Sequence, residues 1–239
     1  LINSVVEFLK EIEGHEIHST QMFRGHANQE WELLPTLARI NPLNISTSYD
    51  LGWRGVEQSI LDKFMKHAIR FMEKDPKNTL EIMIHAQHHG VPTRLLDWST
   101  NPLKALYFAV ENSAHDDVDG VVYTYSPTSW HTTSNASDMT SWNRLVAFHP
   151  NLVNDRVAAQ EGCFTLFPFA IPQEDDSRYL STEAFQPQNV QVSMHSVLIP
   201  KQAKPALRKQ LEKLGVSDAS MFPDLDGIAK NIRRDFGFI

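Results

Sequence analysis

Apolar residues recur at helical spacing in the first half of the chain and alternate or cluster in the second. Val5, Val6, Phe8, Leu9 and Ile12 form one stripe, which Ser4 is placed to cap and Gly14 to stop. A short strand is expected near residues 21–24. From 27 to 40 the chain is polar and aromatic by turns, and Pro35 confines helix to its flanks. Residues 41–55, rich in Asn, Ser and Gly, predict a loop. Ile60, Leu61, Phe64, Met65, Ala68 and Met72 then mark a helix over 57–73. A second helix is expected over 79–87, ended by His88-His89-Gly90. A third starts at Asn101-Pro102, because proline suits the first helical position and Ser99 or Thr100 can cap it. It would carry Leu103, Leu106, Phe108, Ala109 and Val110 into the core. The residues between these last two helices read as a connection.

Beyond Asp116-Asp117 the texture changes. Residues 120–125, 163–167 and 190–199 are rich in β-branched and aromatic residues and predict strands. The Ser-, Thr- and Asn-rich interval 126–139 predicts a surface loop. A helix over 204–214 closes at Gly215, and a last short helix follows Pro223. With no internal repeat, low-complexity tract or linker, residues 1–239 are expected to form one α+β domain. Its N-terminal half is mainly helical and its later part a mainly antiparallel sheet.

Composition narrows the setting. At 239 residues the chain is long enough to bury a sizeable core. The formal net charge of −7 argues against non-specific binding of nucleic acid, which needs a basic field. A local basic pocket for one anionic ligand remains compatible with that charge. One cysteine, Cys163, makes no internal disulfide, so a reducing cytoplasm is expected. No apolar run reaches the roughly 20 residues that span a bilayer, so no membrane partner is expected. The start resembles no secretory signal, and the missing initiator methionine is compatible with a trimmed fragment and a partner domain missing from view.

Three segments concentrate reactive groups. In Phe23-Arg24-Gly25, a guanidinium at a sheet margin can meet a phosphate or carboxylate in a planar, bidentate contact, and glycine admits close approach. The bland reading pairs Arg24 with an internal acid such as Asp97. The second segment is denser: Gln87, His88, His89, Arg94, Asp97, Trp98, Ser99 and Thr100 bring amide, imidazole, guanidinium, carboxylate, indole and hydroxyl groups together. Capping by Asp97, Ser99 or Thr100 explains one or two of them, not all. The third, Arg156 to Phe164, places Gln160 and Glu161 before a strand, where a glutamate can orient a hydroxyl or stabilise a developing cation.

His85, His88 and His89, with Asp97, invite a metal-dependent hydrolase or nuclease reading. Familiar zinc signatures are absent, however, and no metal is expected. Cys163 is expected in the core rather than as a nucleophile, and no serine sits in a nucleophile-elbow pattern.

At these residues the sequence resembles the FRG domain family, named for the motif carried here by Phe23-Arg24-Gly25. The likeness continues through Trp31-Glu32-Leu33-Leu34-Pro35-Thr36-Leu37-Ala38-Arg39, the block from Gln87 to Trp98, and Ala105-Leu106-Tyr107-Phe108-Ala109. Ala159-Gln160-Glu161-Gly162 and Met221-Phe222-Pro223-Asp224-Leu225-Asp226-Gly227 are also similar to family members. More distantly, Arg24-Gly25, Ser99-Thr100 ahead of Ala109, and Gln160-Glu161 ahead of Phe164 follow the order of motifs in Arg-Ser-Glu ADP-ribosyltransferases.

That distant resemblance implies a split-sheet fold and an enzyme that uses NAD as substrate, transferring ADP-ribose to an unknown macromolecular acceptor or hydrolysing NAD. By analogy it also implies a bacterial conflict, toxin or phage-defence role. Arg24 would hold a phosphate or ribose of NAD, Ser99 or Thr100 would brace the site, and Gln160 or Glu161 would serve the ribose. Phe23, Gly25, Gln87, His88, Arg94, Asp97, Trp98 and Thr100 would contact the ligand. One departure matters: Gly162 stands where the pattern has glutamate, and Glu161 is one residue out of register. Either a bulge re-aims Glu161, or the usual chemistry is lost. The alternative is a non-catalytic module that binds a ligand or protein through the same Arg24 pocket.

Overall fold

The computed structural model describes residues 2–14, 20–39, 52–72, 74–138, 140, 144–151, 155–169 and 194–237. The fold is α+β, built on a seven-stranded mixed sheet.

Helix α1 (Val5–Glu13) begins as its sequence suggests. The Ser4 hydroxyl accepts the Glu7 N–H at 3.2 Å, and Val5, Phe8 and Ile12 are buried. Strand β1 (Met22–His26) leads through a 3-10 turn (Thr36–Arg39) to α2 (Gly52–Ala68). Helix α2 starts earlier than expected, since Trp53 and Val56 are buried and anchor its first turn. The rest of the expected 41–55 loop lies outside the described residues. Helix α3 (Thr79–His88) is capped by Asn78 and stopped at Gly90, whose φ of +73° is accessible to glycine without a Cβ penalty.

The next element corrects the sequence reading. Leu95–Ser99 is not a connection but strand β2, deep within the sheet. Its burial is broken only by the exposed Asp97, and a polar residue at that position masks the strand's apolar character. Helix α4 (Pro102–Val110) follows, with Asn101 accepting the Leu103 N–H at 2.9 Å.

The remaining strands are β3 (Gly120–Tyr125), β4 (Trp130–Thr132), β5 (Val146–His149), β6 (Gly162–Leu166) and β7 (Met194–Ile199). The expected start of the last strand, 190–193, falls outside the described residues. The expected surface loop over 126–139 instead contains β4 and the short helix α5 (Thr133–Asp138). Pairing with β5 and burial of Thr133 and Ala136 outweigh the polar sequence there. A short helix α6 (Asp155–Ala159) precedes β6. Helices α7 (Lys204–Lys213), α8 (Asp218–Met221) and α9 (Leu225–Asp235) end the described chain.

Strand order is β4-β5-β6-β2-β1-β3-β7. The sheet is not confined to the later half of the chain: β1 and β2, from the first half, sit near its middle. All pairs are antiparallel except β4 with β5. The β1–β2 pair differs from its neighbours in sharing one ladder position, Phe23 opposite Ser99, where β1–β3 and β2–β6 each share five. The sheet is therefore thinly joined at this seam.

Packing follows the seam. On one face, Phe23, Val122, Val197 and Ile199 pack with α1, α4 and α7, while Leu95, Phe164, Leu166 and Phe148 pack with α3 and α5. On the other face, Met22, Leu96, Trp98, Ala147 and Cys163 pack with Leu33, Leu37, Trp53 and Val56. Two cores thus share one face and the third lies on the other.

Candidate functional site

A cavity of about 680 Å³ lies at the seam and takes lining residues from all three cores, on both faces of the sheet. Phe23, Arg24 and Gly25 reach it from β1, and Asp97, Trp98 and Ser99 from β2. Gln87, His88 and His89 come from the end of α3, Phe108 from α4, and Gln160 from the turn into β6. Arg24, Ser99 and Gln160, far apart in sequence, thus line one space.

Alternation along β1 separates the three residues of the motif. Phe23 and Gly25 face α4, and a Cβ on Gly25 would lie 1.9 Å from the carbonyl oxygen of Ala105. Glycine is required here by close packing rather than by an unusual φ. Arg24 leaves on the opposite side with Met22 and His26. Its Nε–H donates to His26 Nε2 at 2.9 Å, and Nη1 donates to the backbone carbonyl of Asp97 across the seam. The bland expectation of an Arg24–Asp97 ion pair is therefore met in altered form, through the carbonyl and not the carboxylate. Both partners are neutral, and Nη2 has none among the described residues. Burial lowers the Arg24 guanidinium to about 10, opposed by Asp97 and reinforced by Arg39, so it stays charged at neutral pH.

Arg94 is the instructive contrast. It is 2% exposed, and its Nε meets both Glu57 carboxylate oxygens at 3.2 and 3.1 Å. Its other nitrogens donate to the carbonyls of Phe167 and Thr140 at 2.9 and 2.7 Å. The Phe169 ring covers it, with 3.9 Å from the guanidinium carbon to the ring centroid. Arg94 is thus spent on joining α2 to the sheet and does not line the cavity, contrary to its expected ligand contact.

Asp97 lies exposed on the cavity side of β2, and one carboxylate oxygen accepts Gln87 Nε2 at 2.9 Å. The amide orientation of Gln87 is set by Thr93, whose hydroxyl donates to Oε1 at 2.7 Å. The result is an aligned carboxylate whose second oxygen accepts no hydrogen bond among the described residues. Burial, with His89 and Arg156 nearby, lowers the basicity of His88. Trp98 contributes to the lining, but its ring belongs to the opposite core, where Nε1–H donates to Thr165 at 3.0 Å.

Ser99 and Gln160 brace the turn. The Ser99 hydroxyl donates to the Gln160 carbonyl at 2.7 Å and accepts the Asn101 N–H at 3.0 Å. Gln160 Nε2 donates to the Met221 carbonyl at 3.1 Å, tying α8 to the site. Thr100 turns its hydroxyl to the Glu161 carbonyl at 3.4 Å, outside the cavity.

Glu161 itself is turned away. It adopts φ +47°, a left-handed conformation uncommon for a residue with a side chain, at the turn before β6. Its carboxylate meets Lys104 Nζ at 2.7 Å and Asn101 Nδ2 at 3.1 Å, and the lysine holds it below the usual carboxylate range. No bulge re-aims it, and it does not line the cavity. The register shift seen in the sequence is real in space.

Arg156, which opens the third candidate segment without an assigned role, and Phe222 and Asp224 also line the cavity. The Arg156 guanidinium sits 4.3 Å from the centre of the Phe222 ring. Phe222 is held by the segment whose Asp218, fully buried, accepts the Tyr107 hydroxyl and pairs with Arg234 at 2.9 Å. The stretch around 221–227 had been noted only for its family likeness; its distance along the chain hid its place in the site. Among the described residues, no group of three or more His, Cys, Asp or Glu is placed to hold a metal ion, and no helix is long and apolar enough to cross a membrane.

The fold and site define an α+β protein with a polar, arginine-bearing cavity at a seam in its sheet. Residues 19–118, less than half of the chain, match the family model described as FRG domain. No curated protein and no solved structure matches the chain. The cavity extends beyond the matched span, because Arg156, Gln160 and Phe222 come from later in the chain.

Proposed function

We propose that this protein is a nucleotide-utilising enzyme of ADP-ribosyltransferase or NAD-glycohydrolase type, with NAD in the cavity at the β1–β2 seam. The observation that carries the reading is that no carboxylate among the described residues pairs directly with Arg24. Arg94 shows how this protein treats a structural arginine: it supplies a carboxylate. Arg24 receives two neutral acceptors instead, in a space large enough for a ligand. A half-buried cation with no directly paired carboxylate is costly, and a phosphate is a fitting partner.

The residues divide the work as follows. Arg24 and Arg156 hold the diphosphate, while Phe108 and Phe222 offer apolar walls. Ser99 and Gln160 keep the turn in place. When the bond between nicotinamide and ribose breaks, its electron pair leaves with nicotinamide and positive charge grows on the ribose. The second oxygen of Asp97 is the carboxylate oxygen placed to oppose that charge, the role the sequence had given to Glu161. Water or an acceptor hydroxyl then adds to the ribose carbon and loses its proton.

A second reading rests on Glu161. Its commitment to Lys104 removes the usual carboxylate from the cavity and favours a module that binds a nucleotide without turning it over. Incubation with NAD, with nicotinamide release as readout, separates the two. Release that depends on Arg24 and Asp97 supports the enzyme. Saturable NAD binding without release supports the module, and neither binding nor release defeats both.

A further inference from the structure

His26 is an unusual neighbour for a site arginine. It is 3% exposed, on the same strand and the same side as Arg24. Its Nε2 accepts the Arg24 Nε–H at 2.9 Å, and Nδ1 lies 3.1 Å from the Trp31 carbonyl. An acceptor at Nε2 and a carbonyl at Nδ1 permit one arrangement: the proton is on Nδ1. The ring is boxed in by Tyr123, edge-on at 5.4 Å between centroids, and by Trp31 at 6.2 Å.

We infer that His26 is a positioning residue for the anion site: held as the Nδ1–H tautomer, it occupies Arg24 Nε and leaves only the Nη1–Nη2 end of the guanidinium to an incoming phosphate. A guanidinium can meet a phosphate side-on, through Nε and one Nη, or end-on, through both Nη groups. With Nε taken by His26 and one Nη1 donor by the Asp97 carbonyl, side-on contact is blocked. The ligand must enter in line with the arginine, along the seam.

The charged and titratable groups facing the ring are Arg24 on its own strand, Arg39 from the 3-10 turn and Tyr123 on β3. Burial is the first cause that keeps the ring from protonating, and the two arginines act in the same direction. The tautomer therefore persists through neutral pH. A protonated ring would have no acceptor for Arg24 and would repel it.

The inference rests on the proposed anion-binding role of Arg24 but not on NAD turnover, so the probe is inorganic pyrophosphate. Calorimetry at fixed pH on the wild-type chain and His26→Phe should show about ten- to a hundredfold weaker binding in the variant, as expected for losing a hydrogen bond to a charged group. In an Arg24→Lys background, which has no Nε, the same change should leave affinity within about twofold, because the two effects are coupled. Equal losses in both backgrounds would mean that His26 serves only the fold, and absence of pyrophosphate binding to the wild type would remove the site. Long-range proton–nitrogen NMR of the wild-type chain is independent of any variant's folding. It should show His26 protonated at Nδ1 alone from pH 8 to 5; an Nε2–H tautomer, or titration near the ordinary histidine value, overturns the inference. Loss of nicotinamide release with these results intact would defeat only the enzyme reading.

Discussion

Gly25 and the Ala105 carbonyl leave no room between them: a Cβ at position 25 would lie 1.9 Å from that oxygen and 2.7 Å from the Ala109 backbone nitrogen. Helix α4 is thus laid directly on β1, and this contact helps set the width of the cavity beside it. Gly25→Ala must push the helix away. We expect a loss of about 1–3 kcal/mol or more, the usual cost of overpacking, with a lower Tm in thermal melts. An unchanged Tm would show that α4 is not seated as described.

The two arginines should separate in stability measurements. Arg94→Ala leaves the Glu57 carboxylate buried without its partner, which costs about 3–5 kcal/mol. For a chain of this size that lowers Tm by roughly 2–4 °C per kcal/mol. Arg24→Ala removes a cation that no carboxylate among the described residues pairs with directly. Its Tm should stay within a few degrees of wild type while NAD and pyrophosphate binding are lost. Chemical denaturation and calorimetry on the same pair check both halves.

Stability should fall on acidification before most carboxylates titrate. His26 is held down to about 3 from an ordinary 6.5, chiefly by burial, so the unfolded chain takes up the proton first. Its contribution is complete above about 6.5 and is lost progressively as pH falls toward 3. His85, His88 and His149 are lowered in the same sense, burial again leading. Melts between pH 7 and 4.5 should show a falling Tm, with a shallower slope in His26→Phe.

The two acids near the site should differ sharply if the proposed chemistry is right. Asp97→Asn keeps the shape but removes the charge facing the ribose, and nicotinamide release should fall by about 10²–10⁴-fold. Glu161→Gln loosens a turn paired to Lys104 and should leave release within several-fold of wild type. The reverse order would return the catalytic role to Glu161.

Much of the framework was legible because local rules govern it. Ser4 caps α1 as expected, α3 and α4 begin where expected although Asn101, and not Ser99 or Thr100, caps α4, and β3 follows from its run of β-branched and aromatic residues. The motif residues Arg24, Ser99 and Gln160 were legible too, as chemistry without an address. Strand β2 was hidden, since Asp97 interrupts its apolar pattern to face the cavity. Strand β4 and helix α5 were hidden for another reason: they exist through pairing with β5, which no local signal encodes.

By itself, then, the sequence determined the α+β class, the bounds of α1, α3 and α7 to within about a residue, the FRG resemblance and the residues able to bind or react. Those properties depend on spacing and residue type, which a linear chain carries in full. Only the tertiary structure decided which of these groups meet. The single β1–β2 ladder position opens the seam, Glu57 claims Arg94 while His26 positions Arg24, and the left-handed turn at Glu161 swings one acid out as β2 holds another in. Each outcome depends on contacts between distant residues, where burial and charge pairing outweigh local preference.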